Sequence, residues 1–145
     1  MADFFSTIDD QIDKQKEDKN SKEEEKKNNE EFATQTINRL LPILDEYVEQ
    51  LKQRNINVSP FSNVRSISLK LVYRDSGHHS LVMSTNLDTG RIEFRNYFTS
   101  DDGKNYESTD GSSYDENTWK DDIFKNQLEK LITDFIFYAP RHGGF

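Results

Sequence analysis

The sequence predicts an α+β protein in two layers: a helix, an antiparallel meander of three or four strands, and a second helix, with both helices on one face of the sheet. Three observations predict this fold. Apolar residues recur at helical spacing over residues 32–54 and again over residues 119–139. Between these segments, apolar and polar residues alternate over three short stretches. Short turn sequences separate those stretches, which favours an antiparallel meander with one apolar face.

The chain divides into two parts of different composition. Hydrophobic residues make up 32% of its 145 residues and charged residues another 32%, yet residues 13–31 contain no hydrophobic residue. A segment without an apolar face has nothing to bury, so residues 1–31 are expected to be an exposed charged helix or a disordered segment. A coiled coil is excluded because the heptad core positions are polar. We expect a single domain over residues 32–140 and a flexible tail over residues 141–145.

A short apolar motif precedes the charged segment. It consists of Phe4, Phe5, Ile8 and Ile12, whose spacing places them on one face of a helix. Two interpretations follow. The helix could dock back on the domain, or the motif could bind in a groove on a partner protein.

The first helix of the domain is predicted from a single apolar stripe. Its members are Phe32, Ile37, Leu40, Leu41, Leu44, Tyr47, Val48 and Leu51. Pro42 lacks a backbone N–H, so we expect a kink there. Asn55, Asn57 and Ser59-Pro60 are typical of turns, and the helix should end near Arg54.

Three strands are predicted from period-two alternation over residues 66–74, 80–84 and 91–98. Their apolar faces carry Ile67, Leu69, Leu71, Tyr73, Leu81, Met83, Ile92 and Phe94. Turns are expected at Asp75–His78 and Asn86–Gly90. The polar stretch over residues 100–114 has room for a short fourth strand near residues 105–107.

The second helix is expected to start at a capping box, Ser113-x-x-Glu116. Its apolar residues are Trp119, Ile123, Phe124, Leu128, Leu131, Ile132, Phe135, Ile136 and Ala139, and Pro140 closes it. Two helices would leave part of so wide a stripe uncovered. A homodimer is therefore expected.

No catalytic or metal-binding motif is present. His78 and His79 form the one cluster of catalytic residue types, but neighbours in a strand point to opposite faces and do not share a metal. The loop at Asp101-Asp102-Gly103 lacks the EF-hand spacing. Phosphate-binding loops, nucleophile elbows and His-Glu-x-x-His helices are absent. We therefore expect no cofactor, no metal and no enzymatic activity, and a metal-dependent enzyme ranks last.

The polar face of the predicted sheet carries four cations. Alternation places Lys70, Arg74, Arg91 and Arg95 there with Val72, Val82 and Tyr97. Such a face suits phosphate contact with base stacking, an acidic protein partner with aromatic and Arg anchors, or simple solvation. Net charge over the whole chain is −8, which disfavours nucleic acid and anionic membranes as partners.

These observations predict a non-enzymatic protein-interaction module: an adaptor, an inhibitor or a chaperone-like protein. The partner is another protein or a second copy of the chain. Nucleic-acid or nucleotide binding through the basic-aromatic face is the alternative. Cysteine is absent, and no apolar run is long enough for a signal core or a membrane span, so a cytoplasmic location is expected.

Overall fold

The computed structural model describes residues 2–145 and has the α+β architecture that the sequence predicts. The helices are α1 (Ala2–Gln53), α2 (Asp121–Tyr138) and a C-terminal 3-10 helix (Ala139–His142). The strands are β1 (Asn57–Ser62), β2 (Ser66–Val72), β3 (His78–Asn86), β4 (Arg91–Thr99), β5 (Asn105–Ser108) and β6 (Ser113–Tyr114). All strand pairs are antiparallel, in the order β1-β2-β3-β4-β5, with β6 also beside β4.

The core lies between one face of the sheet and the two helices. We call this face the inner face and the opposite one the outer face. Buried inner-face residues alternate with exposed or half-buried outer-face residues along β2, over residues 78–84 of β3 and over residues 91–95 of β4. The buried core residues of the two layers include Ile37, Leu40, Leu44, Val48, Leu51, Ile67, Leu69, Leu71, Leu81, Met83, Ile92, Phe94, Phe124, Leu128, Leu131 and Phe135. The two helices are also joined directly, since Arg39 pairs with Asp121 at 3.0 Å and the Tyr47 hydroxyl donates to Glu129 at 2.9 Å.

The expected uncovered stripe on α2 is mostly covered within the single chain. Phe124, Leu128, Leu131 and Phe135 are buried and Ile132 is half-buried, whereas Ile136 is 42% exposed and its neighbour Phe137 is 69% exposed. The homodimer expected from this stripe stays a prediction.

Helix α1 is much longer than the domain that it covers. Its first hydrogen bond to the rest of the domain is at Asn29, whose side-chain amide donates to the Leu87 carbonyl, in the turn between β3 and β4, at 2.7 Å. The 27 residues before Asn29 that the structure describes would extend about 40 Å at 1.5 Å per residue. Residues 3–28 are exposed apart from half-buried Ile8. The charged segment, for which an exposed helix and a disordered segment were the two alternatives, is therefore an exposed helix in the structure. Helix α1 continues through Pro42 without ending there.

The prediction of a turn at Asn57 and Ser59-Pro60 is wrong. These residues belong to β1, which pairs with β2 in the register Asn57 to Val72 through Ser62 to Ile67. Strand β1 lies at the edge of the sheet, so every second backbone N–H of the strand points away from β2 and has no partner strand. Pro60, which lacks an N–H, is tolerated in such an edge strand. The short strand expected near residues 105–107 is present as β5.

The predicted start of the second helix is also wrong. Ser113 and Tyr114 pair with β4 instead of capping a helix. The Asp115 carboxylate then accepts N–H bonds from Asn117 and Thr118, which makes a turn. Helix α2 begins six residues later at Asp121, so Trp119 precedes it.

The C-terminal residues 141–145, expected to be a flexible tail, pack against the end of β2. The Gly144 carbonyl accepts from the Arg74 amide at 3.0 Å, and Arg74 Nε donates to the Phe145 carbonyl at 3.2 Å. His142 is buried with its ring stacked on Tyr73, at 4.2 Å between centroids. The domain therefore includes these residues.

In the part of the chain that the structure describes, no helix combines the length and the apolar character needed to span a membrane.

Candidate functional site

The apolar motif at the start of α1 is solvent-exposed. We call Phe4, Phe5, Ile8 and Ile12 the apolar tip. Phe4, Phe5 and Ile12 are 63%, 58% and 44% exposed, and none of the four belongs to the core. The two Phe rings touch edge to face at 5.3 Å between centroids. The tip is therefore presented to solvent rather than docked on the domain.

The apolar tip lies on an acidic helix turn. Residues 2–13 contain four Asp and no Lys or Arg. At about 100° per residue, the apolar side chains fall within an arc of about 100°, and the carboxylates lie around the rest of the helix. Asp3 is in the first turn, where the helix dipole favours a negative charge. The tip is thus an amphipathic helix end with a strongly negative polar side.

The outer face of the sheet brings together only part of the predicted cationic set. Four residues of neighbouring strands form a row across the outer face: Lys70 of β2, Ser80 of β3, Tyr97 of β4 and Glu107 of β5. Arg95 lies on the same strand, β4, two residues before Tyr97, and therefore on the same face of the sheet. Arg74 and Arg91, by contrast, lie at opposite ends of the sheet, one just after β2 and the other at the start of β4.

Most of these cations are bonded within the chain. Arg95 forms an ion pair with Glu107, and this hydrogen bond raises the pKa of the Arg95 guanidinium. Arg91 donates to Ser113 Oγ at 2.7 Å and lies 3.9 Å from Asp115. Arg74 donates to the chain's last carbonyl, as described above. Among residues 2–145, Lys70 alone of the four cations has no side-chain hydrogen bond or ion pair with another residue. The outer face is therefore less basic than its composition indicates.

The outer face also has an aromatic residue that the sequence did not reveal. Phe61 pairs with Ser68 on the outer face and is 59% exposed. It was missed because β1 was not predicted. With Phe61, Tyr97 and half-buried Val72 and Val82, the face is more apolar than expected.

A cleft of about 340 Å³ opens between the C-terminal half of α2 and the edge of the sheet formed by β3, β4 and β5. Its wall on the helical side is formed by Lys130, Leu131, Asp134, Tyr138, Arg141 and His142, and its wall on the sheet side by His79, Ser80, Asn96, Tyr97, Phe98, Thr99, Ser100 and Ser108. All four residues of β5, the edge strand on this side of the sheet, are exposed. Sequence reasoning did not identify the cleft.

His79 is a nearly buried polar residue of the cleft, at 9% exposure against 4% for His142. Its ring is surrounded by Tyr73, Phe98, Phe135 and Tyr138, at 5.7 to 6.4 Å between centroids. Among the described residues, no side chain or backbone group hydrogen-bonds to the imidazole. Burial lowers the pKa of His79, and the Asp134 carboxylate partly opposes that shift. The neutral imidazole therefore predominates at pH 7.

His142 borders the same cleft from the other side of Tyr73. Its Nδ1 lies 2.8 Å from Asp75 Oδ2. The hydrogen bond from the Gly77 amide lowers the pKa of Asp75, and the contact with His142 lowers it further. The fold thus brings His79 and His142 near each other, which the sequence did not indicate. The expectation that His78 and His79 point to opposite faces is confirmed, because His78 contacts Thr99 on the outer face. Among residues 2–145, no three His, Cys, Asp or Glu side chains are grouped to hold a metal ion.

Comparison with known proteins gives no relative for this chain: no family model matches it, and neither a curated protein nor a solved structure shows significant similarity.

Proposed function

We propose that this chain is a non-enzymatic protein-interaction module that binds another protein through the apolar tip of α1. The observation that carries the proposal is the exposure of the two Phe rings and Ile12 at the end of a helix that extends beyond the domain. Burying one such side chain stabilises a complex by about 1.5–3 kcal/mol. The tip presents the anchors of helix-in-groove binding, at helical spacing and on one face.

The chemistry of the tip indicates the chemistry of the partner. An apolar arc flanked by Asp3, Asp9, Asp10 and Asp13 suits an apolar groove whose rim carries Lys and Arg. A second copy of this chain is a poorer partner, because each copy carries a net charge of −8. Opposite charges on the rim would also accelerate association at low salt.

The charged segment between the tip and the domain acts as a helical spacer. Residues 14–28 contain only polar residues, including Glu and Lys pairs such as Lys19 with Glu23 and Glu23 with Lys27. Pairs at this spacing stabilise an exposed helix by about 0.2–0.5 kcal/mol each. The spacer holds the tip away from the domain, so that a partner could bind the tip without contacting the sheet.

The outer face of the sheet supports the same class of function. Phe61 and Tyr97 are aromatic residues of the kind that anchor protein interfaces, and Lys70 is free to pair with a partner's carboxylate. Nucleic-acid binding through this face has less support, since Arg74, Arg91 and Arg95 are bonded within the chain. The charges of Arg91 and Arg95 are already offset by Asp115 and Glu107, so these two residues contribute little net positive charge towards a phosphate.

A capture experiment with the full chain tests the proposal. Phe5→Asp places a charge on the apolar arc, and Ser6→Asp places the same charge on the opposite side of the helix. Proteins retained from a host extract by the unmodified chain and by Ser6→Asp should be lost with Phe5→Asp, because the charge prevents burial of the arc. The salt dependence of that retention should be modest.

Lys70→Glu on the outer face separates the two surfaces. Equal retention of the same proteins by Phe5→Asp and by the unmodified chain would overturn the proposal. Loss of retention with Lys70→Glu alone, together with nucleic acid in the retained fraction and a steep salt dependence, would favour the nucleic-acid alternative.

A further inference from the structure

The cleft beside α2 contains two opposite charges without partners. Lys130 and Asp134 lie one helical turn apart, and both line the cleft. No ion pair or hydrogen bond engages either side chain among residues 2–145. Arg141, the other cation of the cleft, is instead bound to Asp101 at 3.0 Å and lies over the Tyr138 ring.

The remaining walls supply an apolar surface and one deep polar group. Leu131, Phe98 and Tyr138 provide apolar and aromatic area. The residue His79 is nine-tenths buried, and its imidazole has no hydrogen bond to another described residue. Since no fully buried side-chain N or O atom among residues 2–145 lacks a partner, the ring nitrogens are open to solvent through the cleft. A polar group of a ligand at that depth would replace solvent as their hydrogen-bond partner.

We propose that this cleft binds a small zwitterion of the α-amino-acid type that carries an aromatic or large apolar side chain. The ligand carboxylate pairs with the Lys130 ammonium. The ligand ammonium pairs with the Asp134 carboxylate and donates to the His79 imidazole. The ligand side chain packs against Phe98 and Tyr138. This site is separate from the apolar tip of α1 and does not depend on the proposed protein partner.

Ligands of other charge leave one of the two groups without a partner. A simple organic anion would satisfy Lys130 but would meet the like charge of Asp134. An organic cation would satisfy Asp134 but would meet Lys130. Small-molecule sites usually have volumes of about 300–1,000 Å³, and this cleft, at about 340 Å³, suits a ligand of amino-acid size.

Three matched probes test the proposal on the full chain by amide chemical-shift mapping. They are L-phenylalanine, 3-phenylpropionate, which lacks the ammonium, and phenethylamine, which lacks the carboxylate. L-Phenylalanine should shift the amides of His79 and Asn96 with a dissociation constant in the range of about 0.1–1 mM. Each analogue should bind at least about tenfold more weakly, because it loses one charge-assisted hydrogen bond.

Variants of the two charged residues complete the test. Lys130→Met and Asp134→Asn should each weaken L-phenylalanine binding about tenfold or more. Lys125→Met and Asp122→Asn, on exposed positions of the same helix, should leave it unchanged. The probe series uses the unmodified chain, so it tests the need for both ligand charges even if a variant folds poorly.

Three results would overturn the proposal. One is the absence of shifts at His79 and Asn96 with any probe up to about 10 mM. Another is equal binding of L-phenylalanine and either analogue. The last is unchanged binding in both Lys130→Met and Asp134→Asn.

Discussion

Shortening α1 from its N-terminus should leave the domain folded until Asn29 is removed. We consider two shortened chains, one that begins at Lys22 and one that begins at Glu30. The first retains the hydrogen bond from the Asn29 amide to the Leu87 carbonyl, and the second lacks it. Residues 3–21 are exposed except half-buried Ile8, and none of them hydrogen-bonds to the domain.

The expected magnitudes follow from these contacts. Removing exposed residues that contact no other element should change the free energy of unfolding by less than about 0.5 kcal/mol. Removing Asn29 loses one hydrogen bond with a net contribution of about 1 kcal/mol. For a domain of this size, that loss lowers the melting temperature by about 4 °C. The chain that begins at Lys22 should therefore melt like the full chain, and the chain that begins at Glu30 should melt lower.

Thermal unfolding followed by circular dichroism measures the difference, with point variants as controls. Asn29→Ala in the full chain should reproduce the loss, and Asn28→Ala, at an exposed neighbouring position, should not. A drop of about 4 °C or more in the chain that begins at Lys22, the scale of ~1 kcal/mol, would show that the apolar tip docks on the domain. That result would refute the reasoning for an exposed tip.

Further predictions concern the core, the buried hydrogen bond of Tyr73 and pH. Leu44→Ala and Leu131→Ala should each lower the free energy of unfolding by about 2–5 kcal/mol in urea titrations, since both side chains are buried; a loss below about 1 kcal/mol would contradict the packing described here. Tyr73→Phe removes the hydroxyl that donates to the buried Phe135 carbonyl at 2.8 Å, and the same assay should show a loss of about 1–3 kcal/mol. The pKa of His79 is lower in the folded chain than its ordinary value of 6.5, so the unfolded chain takes up the proton first as the pH falls. Melting temperature should consequently decrease as the pH falls below about 6.5, towards the folded pKa, and His79→Gln should weaken that dependence; an unchanged pH profile in this variant would contradict the assignment.

The central strands and both helices could be predicted because their signals are local. Period-two alternation fixes the inner faces of β2, β3 and β4, and helical stripes fix the buried faces of α1 and α2. Strand β1 could not be predicted in the same way, because Asn57 and Ser59-Pro60 favour turns locally and become a strand only by pairing with β2. The capping-box spacing at Ser113 likewise gave way to pairing with β4.

The candidate sites differ in how far the sequence reveals them. The apolar tip is apparent from its spacing, although its exposure depends on how α1 leaves the domain. His79 could have been placed on the inner face, since it has the same strand parity as Leu81 and Met83. The cleft itself could not be predicted, because Asp134 and His79 are far apart in the sequence and meet only through the packing of α2 on β3. The contact between His142 and Asp75 could not be predicted either, because these residues are also far apart in the sequence and meet only in the folded chain.

Site-specific photo-crosslinking in the native host tests the central claim most directly. A photoreactive phenylalanine analogue at Phe5 of the full chain is compared with the same analogue at Asn20 on the exposed spacer. If the apolar tip binds in a groove of another protein, irradiation should join position 5 to one host protein and leave position 20 without a comparable adduct. Equal adducts at both positions, or none at position 5, would contradict the claim.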